Sequence, residues 1–461
     1  MFTYFKKFFN DKKYLKLLFL LAIPIALQNL LSALLNIVDG IMVSFLPYNN
    51  EKMAAILICN QIIFIFSIII FAIGSASSVF ASQFYGKKDL TKVPKCTGIS
   101  LTISSAATLI FVLATYFFAK PLISIFSNDS LVIEYGTKFM KLVCFSFIPF
   151  SISSIINITL RGIRKVYVGF YVLLLGIASN VFFNYVFMFG KLGFPNIDIA
   201  GAALGTVIAR FVELVAIILI CVFKKYPVIA SPKNMFSFDR ILFKNSLKVM
   251  LPAIANEIFW VLGNTCFIAI FGRMENGTAI QAAINITNNI DKLVYVFLIG
   301  VGVATSITVG NELGAMKMEQ AKESGEKSIA FSFLIGILTG IIMAVLIFFI
   351  PKIYSHADIT TINLAKKLMI IFSCSMIIRS LNFTLFIGIL RGGGDTRYAF
   401  ILETITIWCI AVPLCIVSAL VFKLQPEIVY IFIFSEELIK LFIVFKRFKS
   451  GKWQRNLVDG V

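Results

Sequence analysis

Residues 249–315 read VMLPAIANEIFWVLGNTCFIAIFGRMENGTAIQAAINITNNIDKLVYVFLIGVGVATSITVGNELGA. Two long apolar runs are separated by a short polar turn, and one acid, Glu257, stands a turn after Pro252 near the start of the first run. An ionised carboxylate at the centre of a bilayer costs roughly 2.5–3.5 kcal/mol on insertion scales, so a chain keeps one there only beside a partner or a water-filled cavity. Glu257 is therefore a candidate site residue. The second run carries amides at Asn288 and Asn289 and has a twin earlier in the chain. AAILICNQI at 54–62 and AAINITNNI at 282–290 agree at six of nine positions, 228 residues apart.

The rest of the sequence extends both observations. Hydrophobic residues make up 59% of the 461 and charged residues 14%, against about 45–50% and about 25% in soluble domains. With a mean hydropathy of +0.93, this is the composition of a polytopic membrane protein. Its length allows about twelve spans of about 20 residues each. The duplication recurs elsewhere. Pro24 matches Pro252, Gly86 matches Gly314, Pro121 matches Pro351, and Leu160-Arg161-Gly162 matches Leu390-Arg391-Gly392, all in order. The expected architecture is all-α, with twelve transmembrane helices in two pseudo-symmetric six-helix bundles. The halves are 1–223 and 246–446, a linker occupies 224–245, and a basic tail occupies 447–461. Two halves of the same topology are parallel repeats.

A net charge of +19 raises nucleic acid as a partner, but the distribution of the charge answers it. The termini and even-numbered loops hold nearly all loop Lys and Arg, while the odd loops hold only Lys52, Lys120, Lys191, Arg273, Lys352 and Lys423. That asymmetry predicts cytoplasmic termini and needs no nucleic acid. The eight cysteines form no CxxC pair and the only histidine is His356, so neither a disulfide frame nor a resident metal centre is expected. No cofactor and no enzymatic activity are expected either. The basic amino terminus precedes an apolar run too long for a signal-peptide core, so it is expected to be retained.

Polar residues inside the spans are where cargo and ions would bind. In the first half these are Asp39, Asn60, Gln61, Asn157, Asn180, Asn184 and Thr206; in the second they are Glu257, Asn264, Asn288, Asn289, Asp291, Asn382 and Glu403. Gln28, Asn29, Ser32 and Asn36 add a polar face to the first helix, interrupted upstream by Pro24. Asn180 and Asn184 lie one turn apart on one face, and Arg210 with Glu213 has the spacing of a structural ion pair. Glu436, Glu437 and Lys440 read as structural in the same way. Asp291 adjoins Lys292, which points elsewhere on a helix. Neither Asp39 nor Glu257 has a basic residue three or four positions away, so both are expected to be available to a transported cation.

The segments LPAIANEIFWVLG (251–263), IAIFGRM (268–274), VGNELGA (309–315), FGKLGFP (189–195), GAALGTVIAR (201–210) and GILRGGGDTRYAF (388–400) resemble those of the multidrug and toxic compound extrusion (MATE) transporters. The resemblance implies two six-helix lobes arranged as a V around a central cavity. It also implies a monomeric antiporter of the bacterial cytoplasmic membrane that exports small organic cations in exchange for Na⁺ or H⁺, with the sodium-coupled type favoured. It places the family's acids on Glu257 and Asp39, where Na⁺ would bind, and its helix-5 polar pair on Asn180 and Asn184. Asn184 stands where proton-coupled members often carry Asp. Ser380 stands where some sodium-coupled members carry Asp, with Glu403 as a substitute acid. The rival reading, a lipid-linked oligosaccharide flippase, would want several deep basic residues, and only Arg210, Lys292 and Arg379 qualify.

Overall fold

A computed structural model describes residues 2–237, 240–354 and 358–459, apart from the side chains of Phe2, Asn36 and Asn49. His356 lies outside the described residues. Among those described there is no strand, and eleven helices are long and apolar enough to span a membrane. They are α1 (Lys12–Ser44), α2 (Asn50–Lys87), α3 (Val93–Phe117), α4 (Ser130–Gly162), α5 (Val166–Phe189), α6 (Ile199–Phe223), α7 (Arg240–Gly272), α8 (Gly277–Gly314), α9 (Met318–Ile353), α10 (Ile359–Arg391) and α11 (Thr396–Val421). A twelfth long helix, α12 (Pro426–Lys449), completes the pattern. Glu436, Glu437 and Lys440 interrupt its apolar run.

Local chemistry sets the helix ends and breaks. Asp129 caps α4 by accepting from the Leu131 and Val132 amides at 2.8 and 3.3 Å, and α5 ends on Gly190 in the left-handed conformation that glycine takes without strain. Prolines act unequally. In α4 a 3₁₀ turn at Cys144–Ser146 precedes Pro149, because the proline ring presses on the carbonyl one turn back and supplies no N–H. In α1, by contrast, the interruption expected at Pro24 does not occur: the helix runs through it, as α7 runs through Pro252. In an apolar solvent a backbone that leaves the helix loses several hydrogen bonds, whereas one proline removes only one.

The chain divides into two compact units. The first-half unit holds Gln28–Tyr85 and Asp89–Met250; the second-half unit holds Met1–Leu27, Gly86–Lys88 and Leu251–Val461. The amino-terminal part of α1 thus belongs with the second half, and residues 224–245 lie within the first-half unit. A core of the first-half unit joins Ala55, Cys59 and Ile62 of α2 to Phe139 and Val143 of α4 and Ala202 and Ala203 of α6. The second-half unit has one core around Ile284, Leu298, Met369 and Val429 and another around Leu313, Leu385 and Trp453. Trp453 belongs to the tail. It is fully buried, stacks on Phe448, and packs against Gly393 of the RGGGDT segment, whose Asp395 binds Arg447 and Arg455 at 2.8 and 2.6 Å.

The second-half unit also contains π-helical turns, at Thr384–Arg391 in α10 and at Thr406–Ala411 and Val417–Val421 in α11. Such widened turns are frequent at functional sites. Here Arg391 closes the first, and Glu403 stands three residues before the second.

Candidate functional site

In the first-half unit a hydrogen-bonded chain crosses three helices. Asn184 Nδ2 of α5 donates to Asp39 Oδ1 of α1 at 2.9 Å and to Asn180 Oδ1 at 3.1 Å. Asn180 Nδ2 donates to Thr206 Oγ1 of α6 at 3.3 Å, and Thr206 in turn donates to the Ala202 carbonyl. Both asparagines are buried and Asp39 is half-buried. One turn beyond Thr206, Arg210 donates to Glu213 at 2.8 Å and lies over the Phe150 ring. The α5–α6 seam makes room for these groups by omitting side chains. A Cβ on Gly205 would sit 2.2 Å from Asn184 Oδ1, and one on Gly176 would sit 2.0 Å from Glu213 Oε1. Asp39 thus has a neutral hydrogen-bond partner, Asn184, and no ion pair among the described residues, although the Arg210 charge acts on it from α6.

The second-half unit is built differently. Glu257 has no basic partner on its own helix but meets one from another: Arg391 Nη1 donates to its Oε1 at 2.8 Å. Same-helix spacing misses this contact because the partner comes from the end of α10, 134 residues away. Arg391 is buried, lies over Phe386, and leaves Glu257 about a quarter exposed. Asp291 is likewise neutralised across helices, by a two-pronged contact from Arg379 at 2.7 and 2.9 Å.

Glu403 meets Lys440 of α12 at 3.7 Å, and the same ammonium lies 3.2 Å from Glu436 and 3.3 Å from Glu437. Asn382 of α10 donates to the Glu437 carboxylate and carbonyl at 2.5 and 2.7 Å. Glu403 also feels the charges of Arg391 and Glu257. Glu436 and Glu437 pair with Lys440 along α12 as their spacing predicts, and the contact from Lys440 to Glu403 is the one that spacing does not give.

The remaining candidates are not gathered into either group. Asn60, Gln61 and Asn289 are exposed, and Asn288 is half-buried. Asn264 donates back to the Trp260 carbonyl in its own helix. Asn157 is half-buried against α5, with its Oδ1 1.9 Å from where a Cβ on Gly169 would fall. Gln28 has a partner that sequence did not suggest: Arg161 of the first LRG donates to its Oε1 at 2.6 Å, while Gln28 Nε2 donates to the Val166 carbonyl.

Comparison with known proteins adds three findings. The family model described as MatE matches residues 24–186 and 252–417. The chain is 25% identical over 452 residues to "Uncharacterized transporter YisQ" of Bacillus subtilis, covering 95% of this chain and 94% of that one. It is also 25% identical over 443 residues to "Probable multidrug resistance protein NorM" of Thermotoga maritima, covering 95% and 93%. Among solved structures, a MOP superfamily transporter from Pyrococcus furiosus superposes with a TM-score of 0.84 at 19% identity, over 95% of this chain and 96% of that one. The eukaryotic MATE transporter AtDTX14 superposes at 0.84 and 15%, over 96% and 97%. At such identities the superpositions establish the fold.

Proposed function

The chain belongs to the MatE family of multi-pass membrane transporters, and on that premise we propose that it is a secondary antiporter of the bacterial cytoplasmic membrane. It exports small, amphipathic organic cations in exchange for Na⁺ or H⁺ by alternating access. The observation that carries this reading is Asp39. It is a carboxylate within a membrane-spanning helix, held in place by Asn184 and opposed by no ion pair among the described residues. A group in that condition favours taking up a cation, and a coupling ion and a cationic cargo then compete for a single charge.

Glu257 has a smaller part in this reading than its position in the sequence suggests. Its charge is already met by Arg391, so binding a cation there requires the pair to open. A flippase for pyrophosphate-linked cargo has less support, because Arg210 and Arg379 are each held by an acid.

The experiment is dye efflux in everted vesicles under an imposed H⁺ or Na⁺ gradient, with ethidium as the organic cation. Asp39→Asn keeps the hydrogen bond to Asn184 and removes the charge, and is expected to abolish gradient-driven ethidium movement. Glu257→Gln is expected to retain part of it. Full activity of Asp39→Asn would remove the carboxylate from the mechanism.

A further inference from the structure

A short helix, Phe2–Asn10, precedes α1, and one side of it is fastened to α9. Phe5 meets Phe333 edge-on with ring centres 5.7 Å apart, and the buried Phe8 stacks on Phe331 at 5.5 Å. Lys7 pairs with Glu326. Just beyond, Asp11 binds Lys327 at 2.7 Å and the Tyr14 hydroxyl donates to the Ser324 carbonyl at 2.9 Å. These contacts fix how the chain enters α1, and so fix which way its first turns face.

The face left over changes character along its length. Tyr14, Leu18, Leu21 and Ile25 are buried on one side of α1. Lys12, Lys13 and Lys16 are exposed on the opposite side, and the same three- and four-residue spacing continues that face through Phe19, Leu20, Ile23 and Leu27. Leu20 is 63% exposed and Ile23 51%, so in a membrane-spanning helix this stripe is covered by lipid tails. It turns basic at its end, where hydrocarbon gives way to headgroups. On the preceding helix Lys6 is exposed beside Phe9, which is 58% exposed.

Among the described residues these four lysines have no ion pair, and the acids of this region are already taken. Lys327 holds Asp11 and Glu323, and Lys7 holds Glu326. Setting the orientation of a span requires basic residues near its end, but not on any particular face. Here three of them share the face that meets the tails. One lipid molecule can therefore lay its tails on the stripe and its headgroup on the lysines. A lysine stem lies against apolar surface while its ammonium reaches the headgroup layer.

We propose that the first two turns of α1, with Lys6 of the preceding helix, bind an anionic phospholipid of the leaflet on the side of the termini. Lys12, Lys13 and Lys16 meet the headgroup's net negative charge, and the acyl chains lie along Leu20, Ile23 and Leu27. The site requires only that the chain spans a bilayer, so it stands or falls apart from the antiporter reading.

Native mass spectrometry of the full-length protein, in micelles containing equal dioleoylphosphatidylglycerol and dioleoylphosphatidylcholine, counts which lipid stays bound. Wild type is expected to retain phosphatidylglycerol preferentially. Lys12→Gln, Lys13→Gln and Lys16→Gln together should cut that preference roughly tenfold or more, since one lysine near an anionic surface is worth about fivefold in affinity. Helical content should be unchanged by circular dichroism, and adding Lys6→Gln should lower the preference further. Lys224→Gln, Lys225→Gln and Lys233→Gln remove the same charge from exposed lysines at and beyond the end of α6, and together should leave the preference intact. Equal losses in the two triple variants would overturn the proposal by reducing it to net charge. A wild type that holds both lipids equally would also overturn it. Displacement of the phosphatidylglycerol by inorganic phosphate at the same concentration would do so as well, by making the lysines a site for free anions.

Discussion

The two halves solve one structural problem with different electrostatics. Each has a Leu-Arg-Gly at the end of its fourth helix, and in each the arginine reaches the helix that opens the repeat, close to that helix's proline. Arg161 meets Gln28, four residues after Pro24; Arg391 meets Glu257, five residues after Pro252. The first contact joins a cation to a neutral amide and the second joins it to an acid. A related division holds elsewhere: Asp39 accepts from the neutral Asn184, which links it to Asn180 and Thr206, whereas the second half gathers four acids and two bases. A duplicated backbone can therefore present one carboxylate held by a neutral amide and others engaged by bases.

The largest effect should come from removing the arginines. Arg391→Ala leaves Glu257 without its counter-charge, and breaking a buried pair by deleting one partner costs about 3–5 kcal/mol. Arg161→Ala strands only Gln28 Oε1, for about 1–3 kcal/mol. Thermal unfolding of the two variants in detergent should rank them in that order. Adding Glu257→Gln to Arg391→Ala should recover part of the loss, whereas adding Gln28→Leu to Arg161→Ala should recover less. Equal losses for the two arginines would mean that the acid in the second half makes no difference to the repeat's shared contact.

Next in size is a packing change confined to the first half. Gly205→Ala would place a methyl group 2.2 Å from Asn184 Oδ1 and 2.9 Å from the Asn184 backbone nitrogen. The backbone has to move, at about 1–3 kcal/mol for overpacking, and Asn184 loses its aim at Asp39. Ethidium efflux should fall by more than the loss of folded protein explains. If efflux falls only in proportion to folded protein, the Asp39 chain does not depend on the close α5–α6 approach.

The scaffold was largely legible in the sequence, because membrane spans declare themselves by length and apolarity, and a duplicated chain repeats its prolines and glycines. The Asn180–Asn184 pair was legible too, since a four-residue spacing fixes a shared helix face. What escaped was which bases meet the acids of the second half. Nothing in the spacing around Glu257 points to Arg391, 134 residues away, and nothing around Asp291 points to Arg379. Pro24 misled for a related reason: local propensity says break, while the surrounding apolar solvent holds the helix together. Exposed amides such as Asn60 and Gln61 look the same in sequence as the buried Asn180 and Asn184, because a one-dimensional pattern reports polarity and not what faces it.

The smallest effect lies outside the spans and concerns acid. Asp11, just ahead of α1, binds Lys327 of α9 at 2.7 Å and accepts from the Tyr14 amide at 3.0 Å, both within the second-half unit. The Lys327 hydrogen bond, followed by that of the Tyr14 amide, holds the Asp11 carboxyl below its ordinary value. A carboxyl lowered on folding contributes stability that is complete above its unfolded value and disappears as pH falls through the lower folded one. Asp11 is more than a third exposed, so solvent screens the pair and its contribution is about 1 kcal/mol or less. Asp11→Asn should therefore unfold slightly earlier than wild type at neutral pH and converge with it in strong acid. High salt should narrow the neutral-pH gap in the same way. A gap that stayed constant with pH and salt would show that Asp11 acts through the Tyr14 amide alone, and the ion pair would drop out of the account of the second half.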